Sequence, residues 1–412
     1  MKRLLFIDSS YTLDELRARG MIHLLNSRHL GEYWNQVVSA HPLDMRGPAE
    51  DVEHCFGKTL VEPINSKHSF VRGRFGRFKI LSRLTIPNAT LALLDFIRTL
   101  IRIARREKID TVRAGDPLLC GAIGLIVSRL VGAGLVVRIP SHNDLIRDSI
   151  GKPIQARFTR TIAIEKWLER MVISRANAII APSQYYADFA VSKGASREKI
   201  YLVRWGNIID PAHHVPPAER SQVKDSALSI RLSERQWMFH IGRLSKIKRI
   251  DDCFDVFEIL AQQGHDAGLL LIGDGPERGA LERRVANAGL ADRVLFLGNV
   301  SQPELITLLP HASVVLSPLT GRALAEAAFA ARPVVAYDLD WQGDLVRTDE
   351  TGILVGESDT LAMAAGARRF LEDQEFSERM GAAVRKRAME ILSPEIAYEN
   401  ECSAYQSLRR HS

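Results

Sequence analysis

The sequence predicts an α/β chain of two successive parallel-sheet domains, on the strength of three observations. Short β-branched or leucine-rich runs alternate with helically spaced segments, the pattern of βαβ units rather than of hairpins. The alternation comes in two series, separated by the polar stretch "PAHHVPPAERSQVKDSALS" at 211–229. The length, 412 residues, exceeds one ordinary core and suits two domains of about 150–200 residues.

In the first series "RLLFID" reads as a buried strand, because four apolar residues before Asp8 are too few for a secretory signal. Helical spacing follows in "TLDELRARGMIHLLNS". The strand "DTVRAG", a helix over 119–132, the strand "GLVVRIPS", a helix over 155–174 and the strand "NAIIAPS" complete it. Residues 42–90 mix charge, Gly and Pro and fit neither period. The most apolar run, 121–139, is interrupted by Arg129 and by glycines, so it reads as helix then strand rather than a membrane span.

The second series has the strands "WMFHIG", "AGLLLIGDG", "RVLFLGNV", "ASVVLSP", "PVVAYD" and "GILV". Helices over 249–264, 276–289, 302–309 and 322–331 alternate with the first five. The tail from 359 to 410 is helical, with Ser393 as N-cap and Pro394 in the first turn of its last segment. The expected division is 1–208, 209–390 and a C-terminal helix, 391–412, that packs back on the first domain. Ligands of open parallel sheets bind beyond the carboxyl ends of the strands. The strand ends at Gly242, Gly273, Gly298, Pro318 and Asp338 are therefore expected to converge on one crevice.

Hydrophobic residues at 46% and charged residues at 25% fit a soluble globular protein. Fifty-five Lys and Arg against 49 Asp and Glu give a net charge of +6, which suits an anionic small ligand, an acidic membrane or nucleic acid alike. Four scattered cysteines without C-x-x-C spacing point to a reduced cytoplasmic compartment, with no zinc site or disulfide framework. In "FVRGRFGRFKILSRL", phenylalanines alternate with Arg72, Arg74, Arg77, Lys79 and Arg83. This basic 70–83 stretch suits the anionic inner face of a membrane, or is a plain basic surface. No RNA-binding signature accompanies it, so nucleic acid is not expected.

Three motifs carry chemistry. In "HIGRLSKIKR", Gly242 allows a sharp turn, and Arg243 and Lys248 are placed for a diphosphate, or belong to a solvated loop. "LLLIGDGPERGALE" has G-x-G, but Arg278 stands where a dinucleotide fingerprint needs its third glycine. A tight turn with Pro276 at the first helical position explains it. In "SPLTGRALAEAAFAARP", an apolar helix carries the lone acid Glu326.

Taken in order with "RVLFLGNVSQPEL", "EAAFAARPVVAYD" and "TGILV", these segments resemble the retaining glycosyltransferases of family 4, the group 1 glycosyl transferases. The resemblance is strongest over 175–400. It implies the GT-B fold, two Rossmann-like domains with a cleft between them. It also implies that Arg243 and Lys248 neutralise the diphosphate of a nucleotide-sugar donor, favouring the charged leaving group without a metal or other cofactor. Gly242, Asn299 and Val300 would line the donor side. Glu326 falls on the second glutamate of the family's E-x7-E signature, which accepts ribose hydroxyls. The first glutamate falls on Pro318, removing a carboxylate that contacts the donor sugar. Thr320, Gly321, Arg322 and Ala323 remain there, at a helix N-terminus suited to anions.

In the first domain the resemblance brings His142 near the reacting sugar or the donor phosphates, where a structural histidine is the alternative, and puts Ser9 and Ser10 where relatives carry a glycine-rich turn. Asp116 and Asp144 are lesser cleft candidates. The implied activity is a hexosyltransferase-type retaining transfer to a saccharide or lipid-linked acceptor, in surface polysaccharide or glycolipid synthesis. The protein would be cytoplasmic, or peripheral at the inner face of the membrane. A sugar-nucleotide epimerase of the same fold and a non-catalytic binding scaffold are the alternatives.

Overall fold

A computed structural model describes residues 2–18, 22, 24–43, 55–156, 158–204 and 209–408. The chain forms two compact units, Met1–Val203 with Tyr398–Ser412, and Arg204–Ala397.

Among the described residues, the first unit has eight strands: β1 (Arg3–Ile7), β2 (Gln36–His41), β3 (Leu60–Asn65), β4 (His68–Arg72), β5 (Thr111–Ala114), β6 (Gly134–Arg138), β7 (Ala178–Ala181) and β8 (Ile200–Leu202). Their order is β3-β4-β2-β1-β5-β6-β7-β8. The β3–β4 pair is antiparallel and the others are parallel. One face of the central strands is apolar and packs against helices. Leu5, Ile7, Val112 and Val137 pack with Phe96 and Leu100 of the helix Thr85–Arg106 and with Ile123 and Val127 of the helix Leu119–Val131.

The second unit has β9 (Trp237–Ile241), β10 (Gly268–Ile272), β11 (Val294–Gly298), β12 (Ala312–Ser317), β13 (Val334–Tyr337) and β14 (Ile353–Val355). All its pairs are parallel, in the order β11-β10-β9-β12-β13-β14. Side chains alternate across this sheet as the pleat requires. Trp237, Phe239 and Ile241 enter a core with the helix Arg322–Phe329, while Met238 enters another with the helix Ile250–Gln262. Strand order reverses at β1/β5 in one sheet and at β9/β12 in the other. A crevice opens beyond the strand ends at such switch points.

Several expectations change. The helix expected over 155–174 runs Ile162–Arg175 and is capped by Thr161. The residues before it are held by the Glu165 carboxylate, which accepts the N–H groups of Ile154 and Gln155 and the Thr159 hydroxyl. The helix expected from 276 starts at Arg278, with Pro276 in the turn ahead of its N-cap Glu277. Within 42–90, residues 44–54 lie outside the described ones. The remainder holds the β3–β4 hairpin and the start of the helix Thr85–Arg106. A further helix, Asn143–Ile150, buries Arg147 between Glu165 and Glu169.

The stretch 70–83 is not one basic surface. Phe70, Val71 and Arg72 are buried in β4. Arg72 is paired with Asp14 and Glu62, and Arg77 lies 3.7 Å from Asp95. In the last helix, Pro394–Ser407, Ser393 Oγ accepts the Ile396 N–H, while Glu401 and Tyr405 accept from Arg113. No helix among the described residues is long and apolar enough to cross a membrane.

Candidate active site

Beside the β9/β12 switch point, a cavity of about 490 Å³ opens at the carboxyl edge of the second sheet. Gly242 and Arg243 reach it from the end of β9, Asn299 and Val300 from the end of β11, and Thr320 from the turn after β12. Arg322, Ala323 and Glu326 line it from the helix Arg322–Phe329. Lys248 and Gly321 adjoin it, since a Cβ on Gly321 would lie 3.8 Å from Lys248 Nζ.

Gly321 has φ +66° and ψ −127°, a backbone state that side chains oppose. No side chain caps the helix it opens, so the first-turn N–H groups and the positive helix end face this region. Arg243 is exposed and makes no ion pair or hydrogen bond among the described residues. Burial holds the Lys248 ammonium below the usual lysine pKa, against the opposing pull of Asp340. Arg249 is committed elsewhere, to Glu357 and Ser358. Two cations and an uncapped helix end around one cavity make an anion site.

The G-x-G of 273–275 has a packing cause. A Cβ on Gly273 would fall 2.0 Å from the Gly242 carbonyl oxygen, and one on Gly275 2.2 Å from that of Leu244. Bare backbone at both points lets the loop after β10 press against the loop that carries Arg243.

Glu326 is buried and held by two partners. Arg322 Nε lies 3.0 Å from its Oε1. With the Gln302 amide oriented to satisfy its neighbours, its nitrogen donates to Glu326 Oε1 (3.3 Å) and His213 Nε2 (2.9 Å), and its oxygen accepts from Arg322 (3.1 Å). Arg322 therefore clamps the carboxylate while its own side chain stays exposed. Glu326 Oε2 makes no hydrogen bond among the described residues, which leaves it to the cavity.

The loop around Pro318 is fixed by Gln342, which is fully buried. Gln342 Nε2 donates to the carbonyls of Pro318 and Tyr337, and its Oε1 accepts from Ser317 Oγ. Ser317 has thus spent its proton, so the Thr320 hydroxyl donates to Ser317 Oγ. Thr320 faces the cavity as an acceptor. Gln302, His213 and Gln342 went unnoticed in the sequence because their partners are distant along the chain. Gln342 lies 25 residues from Ser317 and Gln302 lies 89 from His213.

In the first unit a cavity of about 240 Å³ lies at the β1/β5 switch point, lined by Asp8, Ser9, Ser10, Asp116 and Arg138 among others. Asp8 binds Arg28 at 3.1 Å and accepts from Ser10. Burial pushes the Asp116 carboxyl above the usual range. His142 and Asp144 do not line this cavity. His142 caps the helix Asn143–Ile150 through Nδ1, which accepts the Leu145 N–H at 3.4 Å, and its ring packs against Phe189 and Tyr185. Burial lowers its pKa, so the neutral ring carries its proton on Nε2. Asp144 is an ion-pair hub for Arg147, Lys166 and Lys193.

Comparison with known proteins covers both units. The family of glycosyl transferases group 1 matches residues 228–387, and a glycosyl transferase 4-like domain matches 69–206. Alpha-D-kanosaminyltransferase of Streptomyces kanamyceticus is 28% identical over 268 residues, 62% of this chain and 66% of that protein. The match thus spans just under two thirds of that relative. HepE of Anabaena, solved with UDP, superposes with a TM-score of 0.71 at 18% identity, covering 99% of this chain and all of that one. Sucrose-phosphate synthase of Thermosynechococcus elongatus gives 0.70 at 17% identity, with both chains fully covered. These two share the fold. Glycosyl transferase family models thus match both units, the group 1 family over the second, and the fold of both is that of the GT-B glycosyltransferases.

Proposed function

We propose that the protein is a retaining, hexosyltransferase-type enzyme that moves a sugar from a nucleotide-sugar donor to a saccharide or lipid-linked acceptor. The observation that carries this reading is the second-unit cavity, where Arg243, Lys248 and the uncapped helix end adjoin the free oxygen of Glu326. The cations and helix N–H groups hold the donor diphosphate, and Glu326 Oε2 accepts from the ribose. HepE, solved with UDP, supports a nucleoside diphosphate as the ligand.

In the reaction the bond from the sugar's anomeric carbon to the diphosphate breaks, and charge grows on the leaving oxygen. Arg243 and Lys248 stabilise that charge in place of a metal ion. The acceptor oxygen attacks from the same face, and its proton passes to the leaving phosphate. His142 offers an Nε2–H donor to a hydroxyl of the sugar. A screen of uridine, guanosine and adenosine sugars for nucleoside-diphosphate release tests the reading. Acceptor-dependent release from one donor class is expected; no release from any of them, with saccharide and lipid-linked acceptors supplied, would contradict it.

One observation favours a second reading. Asp8 and Asp116 line one first-unit cavity, the pair of carboxylates a sugar-nucleotide epimerase would use. Conversion of the donor sugar without an acceptor would establish that reaction instead. Pro318 in place of a sugar-contacting glutamate suits a non-catalytic scaffold, for which nucleotide would bind and no product would form.

We also propose that the enzyme works as a peripheral protein at an anionic membrane face, in surface polysaccharide or glycolipid synthesis. Phe78, Leu84 and Ile86 are exposed and Ile80 is 90% exposed, interleaved with exposed Lys79 and Arg83. Exposed Leu91, Leu94, Arg98 and Arg102 extend this surface along the helix Thr85–Arg106. Apolar side chains flanked by cations suit the interface of an anionic bilayer.

A further inference from the structure

The first-unit cavity is lined by a cation that no ion pair holds, though the fields of Glu401 and Asp8 reach it. Arg138 ends β6 and lines the cavity half-buried, yet no hydrogen bond or ion pair engages its guanidinium among the described residues. The nearby charges are already matched. Asp8 is bound by Arg28 and Ser10. Arg113 is taken by Glu401 and Tyr405. Asp116 accepts the Leu118 N–H within its own loop and lies within reach of Ser9. A guanidinium withdrawn from bulk water without a partner is costly, and it is the side chain best shaped to grip a planar or tetrahedral acid through parallel N–H bonds.

We infer that Arg138 binds an acid group, a carboxylate or a phosphate monoester, on the acceptor that enters the first-unit cavity. This rests on the glycosyltransferase reading only for calling the ligand an acceptor. The acid anchors the acceptor on Arg138 and sets its hydroxyls toward the polar groups around it. Gln155 is one of these: its oxygen accepts the Leu119 N–H, so its amide N–H₂ remains as a donor at the cavity. Neutral acceptors lack the anchor and leave the guanidinium unpaired.

Calorimetric titration of the full-length protein with D-glucose, D-glucuronate and D-glucose 6-phosphate tests this. Wild type should bind at least one acid probe tenfold or more tightly than glucose, and the tighter acid identifies carboxylate or phosphate as the group read. Arg138→Gln should bring the acid probe down to the level of glucose, and Arg138→Lys should keep part of the preference. Thermal melting of each variant reports folding, and the conservative lysine variant carries the test should the glutamine variant not fold. Three outcomes would overturn the inference: glucose binding as tightly as both acids, neither acid binding, or the preference surviving Arg138→Gln. Displacement of the acid probe by UDP would assign it to the second-unit anion site and overturn the inference as well. A separate UDP titration of the wild type tests the donor-site reading, so either can fail while the other stands.

Discussion

At the residue scale, each donor-site side chain has a measurable task. Glu326 keeps one oxygen for Arg322 and Gln302 and one for the cavity, so Glu326→Gln should preserve the packing while losing a charged acceptor. Hydrogen bonds to charged groups contribute about 1.5–3 kcal/mol, so the affinity for nucleoside diphosphate should fall roughly ten- to a hundredfold, read by calorimetry. An unchanged affinity would remove Glu326 from the site. In the proposed donor site Lys248 would act through its charge, and burial holds its pKa below the usual lysine value. The kcat/KM for donor reports ionisations of the free enzyme. It should therefore decline on the alkaline side at a pH below that of an ordinary lysine, and Lys248→Arg should move that limb upward. A profile identical in the two proteins would show that Lys248 does not hold the phosphate.

At the scale of elements, the turn that opens the helix Arg322–Phe329 is set by backbone geometry. Gly321→Ala should cost about 1–3 kcal/mol, because φ +66° with ψ −127° is nearly closed to a side chain. Thermal unfolding should show a lowered midpoint, with phosphate binding weakened alongside; a midpoint equal to wild type would contradict the strain. Such local elements were largely legible in the sequence. "WMFHI" and "GLLLI" declare themselves by composition, Gly242 and Arg243 sit just past a strand end where the parallel-sheet rule looks for ligands, and Glu326 stands out as the lone acid of an apolar helix. What was not legible lies through space. Arg138 reads as one more residue of a strand until its lack of a partner is seen. Helix Thr85–Arg106 was hidden by Pro87 in its first turn and by the charged segment before it.

At the scale of the whole molecule, acid should weaken both units through buried histidines. Burial lowers His240 in the second unit to about 4 and His68 in the first to about 3, from an ordinary 6.5. Both are stable as neutral rings above pH 6.5. As pH falls from there the unfolded chain takes up protons first, so stability is lost towards pH 4 and continues falling towards pH 3. They contribute on the order of 3 kcal/mol for His240 and about 5 kcal/mol for His68, and denaturant melts between pH 7 and 4 should show the decline; a flat profile would contradict it. Surface behaviour is tested with vesicles. Ile80→Glu with Leu84→Glu should abolish co-sedimentation with phosphatidylglycerol vesicles while leaving the melting temperature unchanged, and undiminished binding would exclude this face.

The central claim is that the second unit holds a nucleoside diphosphate between Arg243, Lys248 and Glu326. Calorimetric titration of UDP, GDP and ADP onto the folded wild-type protein and its Lys248→Ala variant tests it most directly. The account predicts one-to-one binding of at least one of them by the wild type, weakened tenfold or more in the variant. Wild-type protein that binds none of the three, or a variant that binds as tightly as wild type, would contradict it.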